Sequence, residues 1–330
     1  MNVAECIEEV LAQHGVTVLP LLPGGPLMPF LRAVHARRRV KTVLCRHESA
    51  AVMMADGYYR LSHRVAAVAV TAGPGLSNTV TAVALAHAEQ IPLVLISARV
   101  ATECEGRTAA QELDSVTLLQ PVTKASRGLW APRRAQAVLT DLFRIAVSGR
   151  PGPVHLSVPA DAWGRSLEFV PRKVLHLDSR ACDFSATHSV ASMLERAERP
   201  VLLAGYGVVQ SQASRELLAL SKALPRLRVA CTPRAKGVFP ESHPSSLGVF
   251  GFAGHAAAEQ ALLEDNDLLL VVGSRLGEIA SSSWDERLGQ QRLVQIDIEP
   301  AEIGRNFPVE LGMVGDAKLL LGRLAELVAS

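Results

Sequence analysis

The sequence predicts an α/β protein built from two doubly wound parallel-sheet domains, and three observations carry that reading. Apolar runs without polar alternation recur between amphipathic segments, as strands buried on both faces require. The alternation fades between residues 164 and 188 and then begins again, so a single sheet does not run through the chain. With 330 residues the chain also exceeds one ordinary core, at roughly 100 to 200 residues per domain. The expected organisation is a first domain over 1–163, a linker over 164–188 and a second domain over 189–330.

Each element follows from local pattern. Val3, Ile7, Val10 and Leu11 recur at helical spacing, and Gly15 ends that helix before the apolar run from Val16 to Leu22. Thr42 to Cys45 is short and β-branched, while Val65 to Thr71 is nearly all apolar and ends at a glycine turn. A helix from Glu48 to Arg60 lies between them, and a helix from Asn78 to Glu89 leads into a strand from Pro92 to Ser97. Residues 149–161, GRPGPVHLSVPAD, read as a turn and a last strand. A helix beginning at Ser189 opens the second domain. The strands Pro200 to Ala204, Leu227 to Cys231, Leu268 to Gly273 and Arg292 to Ile298 follow, with helices Ser211 to Leu224, Ala256 to Glu264 and Ala317 to Val328.

Composition narrows the function. Hydrophobic residues are 48% and charged residues 20%, which supports packed cores and argues against disorder. Thirty-four basic residues against 32 acidic ones leave a net charge of +2, too balanced for a nucleic-acid or anionic-membrane partner. The run Arg37, Arg38, Arg39 and Lys41 reads as a solvated helix end. Five scattered cysteines without a Cys-x-x-Cys spacing indicate neither a disulfide framework nor a zinc site, and they fit a reducing cytoplasm. No stretch of 18 or more apolar residues is present, and the acidic start, MNVAECIEE, is unlike a secretory signal.

The chemistry centres on Arg46-His47-Glu48, where a strand gives way to a helix, because a carboxylate there sits on the ligand-binding edge of a parallel sheet. By itself, a glutamate in a first helical turn is a capping or dipole-compensating residue. Its company changes the reading: LLPGGPLMPFL at 21–31, TAGPGLSNTVTAVALAHAEQIPLVLISA at 71–98, Gln111-Glu112, and the GRPGPVHLSVP strand turn. Taken in that order, these segments resemble the acetolactate synthase branch of the thiamine-diphosphate enzymes. RPVLLAGYG, KGVFPESHPSSLG, DLLLVVGSRLGE, IDIEPAEIGRN and VGDAK resemble the same family's central domain.

The resemblance implies a pyrimidine-binding first domain and a central second domain. It makes Glu48 the residue that hydrogen-bonds N1′ of the aminopyrimidine, with Gln111 near the thiazolium and substrate. Pro23, Gly24, Gly25, Gly73, Pro74, Gly75 and Asn78 would line the cofactor pocket. These glycines and Asn78 have a plainer reading as turn residues and a helix start. His47 reads as a neighbour that packs or hydrogen-bonds locally.

The family's Gly-Asp-Gly motif, which holds magnesium and the diphosphate, is absent here. The expectation is therefore a split thiamine-diphosphate-dependent decarboxylase or carboligase, acting on a 2-oxo acid such as pyruvate. A partner chain would supply the diphosphate-binding domain and bind Mg2+, in a homodimer or heterotetramer, with no metal ligand from this chain. FAD in the central domain is left open, with Gly205-Tyr206-Gly207 and Arg275 as its candidate contacts. Two departures bear on the acceptor. Pro159-Ala160-Asp161 replaces a Pro-Lys-Asp sequence, and Ile279 stands where the family carries an arginine, so an aldehyde, a thioester or a carrier-bound acyl group fits better than a second 2-oxo acid. The rival readings are a non-catalytic regulatory or interaction relative and a nucleotide-binding sensor that uses the second domain.

Overall fold

Strands flanked by helices in both faces fill two units of the computed structural model, which describes residues 1–170 and 182–329. The first unit, Met1–Leu177, holds β1 (Val18–Leu22), β2 (Lys41–Leu44), β3 (Ala66–Val70), β4 (Leu93–Arg99), β5 (Ala125–Gly128) and β6 (Val154–Pro159). All pair in parallel, in the order β2-β1-β3-β4-β6-β5.

The absence of alternation in β3 is explained by its two covered faces. Ala66, Val68 and Val70 pack with the helices Glu48–Ser62 and Val80–Ala88, while Ala67 and Ala69 face the core built by Val3–Gln13, Met28–Arg37 and Ala135–Val147. In Ala135–Val147 the buried Leu139, Leu142, Phe143 and Ala146 fall at helical spacing on one stripe. Each such leucine or phenylalanine contributes roughly 1.5 to 3 kcal/mol on burial.

The strand order reverses between β1 and β3, and the turns that follow β1, β2 and β3 gather at this switch point, where open α/β sheets bind ligands. The turn after β1 is anchored from below. Trp163, fully buried, donates through Nε1 to the Pro26 carbonyl at 2.9 Å and stacks on Phe30 at 5.2 Å between ring centroids.

The second unit, Asp178–Ser330, holds β7 (Pro200–Ala204), β8 (Arg228–Cys231), β9 (Ser246–Val249), β10 (Leu268–Val272), β11 (Leu293–Asp297) and β12 (Leu311–Val314). These are again parallel, in the order β12-β11-β10-β7-β8-β9. Both units are thus doubly wound α/β sheets.

Several boundaries differ from expectation. Residues 164–170, expected in the linker, belong to the first unit: Val3 donates to the Arg165 carbonyl, Leu167 donates to the Met1 carbonyl, and Leu167 is buried. At the other end Cys182 bridges to Gly315 and the helix begins at Thr187. The middle of the expected linker, 171–181, lies outside the described residues. The helix expected from Asn78 to Glu89 runs from Val80 to Ala88 and is preceded by a short helix, Pro74–Ser77, which Asn78 closes instead of starting a helix. The run Arg37 to Lys41 is not simply solvated. Arg37 pairs with Glu8 at 2.6 Å, Arg39 pairs with Glu9 at 2.8 Å, and Glu8 is fully buried, so this segment is tied to the first helix.

Candidate active site

Glu48 is the first residue of the helix Glu48–Ser62, placed by the end of β2. His47 is the N-cap, with extended backbone, and its Nδ1 accepts from the Ser49 amide at 3.2 Å. That settles the local role of His47 as the cap of this helix. Glu48 itself is 5% exposed. A carboxyl group so enclosed needs partners, and Asn78 Nδ2 donates to its Oε2 at 2.9 Å. Asn78 is oriented in turn by Ser49, whose Oγ donates to the Asn78 carbonyl. Nothing among the described residues donates to the other oxygen, Oε1.

Glycines bring the surrounding turns together. A Cβ on Gly75 would stand 2.6 Å from Thr71 Cγ2 and 3.5 Å from Glu48 Oε1, and a Cβ on Gly24 would meet Thr71 Oγ1 at 2.2 Å. Gly73, at φ +58°, leaves space for the loop beyond β4, because a Cβ there would lie 2.9 Å from the Gln111 Cα. The Thr71 hydroxyl is buried with no hydrogen-bond partner among the described residues. It stands between the Gly24 and Gly75 turns.

Of the residues expected from sequence, Glu48, Asn78, Gly24, Gly73 and Gly75 come together at the switch point, and the Gln111 main chain packs against Gly73. Gln111 is exposed at φ +66°, and its loop is shaped by Glu112. The Glu112 carboxylate accepts from the amides of Gly106 and Ala109, and those bonds, Gly106 first, hold its pKa below the usual carboxylate value. Pro23, Gly25 and Pro74 are exposed at the rim, and Gly25 has open space around it. Thr71 and Trp163 were missed by sequence reasoning. The available signal for Thr71 was its position as a polar residue closing an apolar strand immediately before a glycine turn.

The arrangement suits a planar, nitrogen-bearing ring: a carboxyl oxygen is free to accept from a ring N–H, beside glycine turns packed tightly against Thr71 and Gln111. It does not suit a metal-bound diphosphate. Among the described residues no group of three or more His, Cys, Asp or Glu side chains is placed to hold a metal ion.

In the second unit the candidate nucleotide turn is already occupied. The Gly205 amide donates to Val272 and the Gly207 amide donates to Gly273, at 2.8 and 2.9 Å, so neither is left for a phosphate. A Cβ on Gly207 would lie 2.7 Å from the Gly273 Cα, which explains these glycines as a packing contact between β7 and β10. Arg234 covers the Tyr206 ring at 3.9 Å. Arg275 is exposed, and its carbonyl accepts from Asn306.

Residues 1–118 match the family described as thiamine pyrophosphate enzyme, N-terminal TPP binding domain, and residues 187–324 match thiamine pyrophosphate enzyme, central domain. The chain belongs to the thiamine pyrophosphate enzymes. Among its relatives, the probable acetolactate synthase large subunit of Methanocaldococcus jannaschii is 36% identical over 100% of this chain and 56% of its own length. The acetolactate synthase large subunit of Corynebacterium glutamicum is 33% identical over 99% of this chain and 52% of its own. An X-ray structure described as a thiamin diphosphate-dependent enzyme from Mycobacterium smegmatis superposes with a TM-score of 0.88 at 25% identity, covering 99% of this chain and 62% of that one. The chain spans about half the length of the curated relatives it matches. No helix among the described residues is long and apolar enough to cross a membrane.

Proposed function

We propose that the chain is a subunit of a thiamine-diphosphate-dependent decarboxylase or carboligase that takes a 2-oxo acid such as pyruvate as donor, with the diphosphate and its magnesium ion held by a partner chain. The observation that carries this reading is the enclosed Glu48 carboxyl group, one oxygen fixed by Asn78 and the other without a partner among the described residues. A carboxyl group fixed through one oxygen, with the other open at the site, is positioned for a ligand.

When bound, the cofactor would supply a carbon nucleophile and an electron sink for decarboxylation of the donor. Glu48 Oε1 would accept from N1′ of the aminopyrimidine and hold a proton at that atom, which would leave the exocyclic nitrogen able to act as a base. Asn78 keeps Glu48 from turning away. Gly24 and Gly75 let Thr71 pack between their turns and Gly73 lets the Gln111 main chain close in, so that these turns shape the pocket beside Glu48, and Pro23, Gly25 and Pro74 form the rim. Gln111 acts at the donor side of the site. In sequence, Ala160 stands where the family has a lysine and Ile279 where it has an arginine, which favours an aldehyde, a thioester or a carrier-bound acyl group over a second 2-oxo acid as acceptor.

The described residues group no metal ligands, and the relatives extend well beyond the span matched by this chain; in this reading the diphosphate-binding part is carried by the partner chain. The test is purification of the chain with its native partners, followed by thiamine diphosphate, magnesium and pyruvate, with carbon dioxide release compared for wild type and Glu48→Gln. The expected result is a co-purifying chain with Gly-Asp-Gly and a loss of at least about a hundredfold in turnover, the lower end for a proton-transfer group. Unchanged release by Glu48→Gln, with no such partner, overturns the catalytic reading in favour of a regulatory or interaction relative.

A further inference from the structure

Arg99 is the last residue of β4, on the edge of the sheet where the candidate site lies, and it starts the loop that carries Gln111. Its side chain is only 13% exposed. Two contacts hold the guanidinium: Nη2 forms an ion pair with Glu105 Oε1 at 2.5 Å, by proximity of charge and not as a hydrogen bond, since Glu105 Oε1 is buried without a hydrogen-bond partner among the described residues, and Cζ lies 4.3 Å from the centroid of the Trp130 ring. Nε is buried without a hydrogen-bond partner among the described residues. The charge is therefore held at the sheet edge chiefly by Glu105 and Trp130, and removal of either leaves an enclosed cation poorly compensated.

The loop itself has few other ties. Thr102 donates its amide to Asp161 Oδ1 at 2.8 Å, and Glu112 closes the distal half through the amides of Gly106 and Ala109. Between those points Glu105 is anchored through Arg99. Glu112 and Asp114 also lie within the field of Arg99, which adds to the stabilisation of their charged forms. Beyond the clamp the chain reaches Gln111 in a left-handed backbone conformation, pressed against Gly73. That conformation is unfavourable for a glutamine on its own and persists where surrounding structure imposes it.

We propose that Arg99, stacked on Trp130 and paired with Glu105, is the positioning residue that fixes the 101–114 loop and so places Gln111 at the candidate site. The clamp is a matter of this chain's structure, while its bearing on turnover rests on the catalytic reading above. It does not touch the ring-binding carboxyl group, so its effect is separable from that of Glu48.

The test uses the full chain and the variants Arg99→Met, Arg99→Lys and Glu105→Gln. Amide hydrogen exchange over 102–114 is followed together with exchange in β3 and β4. Each variant is expected to speed exchange in the loop, by roughly tenfold for Arg99→Met, while the strands remain protected; Arg99→Lys restores part of the protection because the charge returns without the planar stack. In the purified assembly with thiamine diphosphate, magnesium and pyruvate, Arg99→Met is expected to lower turnover in the wild-type background and to add nothing in a Gln111→Ala background. Unchanged exchange across 102–114 in both Arg99→Met and Glu105→Gln overturns the clamp, and equal losses of turnover in both backgrounds overturn its action through Gln111. If even the wild-type assembly releases no carbon dioxide, the catalytic reading fails and the exchange result still decides the clamp.

Discussion

Asn78 Nδ2 donates to Glu48 Oε2 at 2.9 Å, joining the turn after β3 to the first turn of the helix after β2. The two residues are 30 positions apart, so this bond forms only once β1, β2 and β3 are in register. It couples completion of the parallel sheet to the orientation of the one carboxyl group offered to a ligand. It also gives Asn78 two jobs, since its main chain closes a short helix while its side chain serves Glu48.

Loss of the Asn78 amide should therefore be felt in ligand affinity more than in folding. Asn78 is exposed, so water can replace its bond to Glu48 in Asn78→Ala, and the urea midpoint of the chain is expected to move little. A rotating carboxyl group binds a ring less well. Calorimetric titration of the purified assembly with thiamine diphosphate should show affinity reduced by roughly tenfold, equivalent to about 1.4 kcal/mol. Equal affinities for variant and wild type would mean that Asn78 does not orient Glu48.

The Gly75 turn makes a sharper prediction about packing. A Cβ on Gly75 would overlap the methyl of Thr71, at 2.6 Å, while the Thr71 Cβ would remain at 3.5 Å. Gly75→Ala should destabilise the first unit by about 1 to 3 kcal/mol, the usual range for an overpacked site. Thr71→Ser removes that methyl and should recover most of the loss in the double variant. No such rescue is expected for Gly24→Ala, because there the clash is with Thr71 Oγ1 at 2.2 Å and Cβ at 2.4 Å, atoms that serine retains. Urea unfolding of the four variants checks the pattern, and rescue of both glycine substitutions by Thr71→Ser would contradict the geometry.

How much of this was legible in the sequence depends on what each residue does. The central strands β3, β7 and β10 stand out because both faces are covered and every position is apolar or small, and β4 does so up to its closing Arg99. The edge strands β5 (ASRG), β9 (SLGV) and β12 (LGMV) do not, since a four-residue strand with a glycine or polar residues lacks the apolar run that marks its neighbours. Glu48 and the glycine turns were visible through their order along the chain, which a resemblance to known enzymes makes meaningful. Arg99, Thr71 and Trp163 were not, because their importance lies in contacts made across the fold: Trp163 reaches Pro26, 137 positions earlier. The glycine pair in the second unit carried a misleading signal. Glycine permits a phosphate and a neighbouring strand end to approach equally well, and only the direction of the Gly205 and Gly207 amides distinguishes them.

A buried histidine supplies the last prediction, one about pH. His155 on β6 is fully enclosed between Ser97 on β4 and Ser126 on β5, with Nε2 and Nδ1 each 2.8 Å from a serine oxygen. Two hydroxyls can satisfy a neutral imidazole, one accepting from its N–H and the other donating to its bare nitrogen. Burial opposes the charged form and pushes the histidine pKa down from 6.5 to about 3. The unfolded chain thus takes up a proton near pH 6.5 while the folded chain refuses it until about pH 3. Stability is full above pH 6.5 and falls as the pH drops toward 3, by about 1.4 kcal/mol for each pH unit in that window. At pH 5 the contribution lost is roughly 2 kcal/mol. Urea unfolding at pH 7 and pH 5 should show this loss in the wild-type first unit and a smaller one in His155→Gln, which cannot take up the proton. Identical pH dependence in the two proteins would mean that another group controls acid stability.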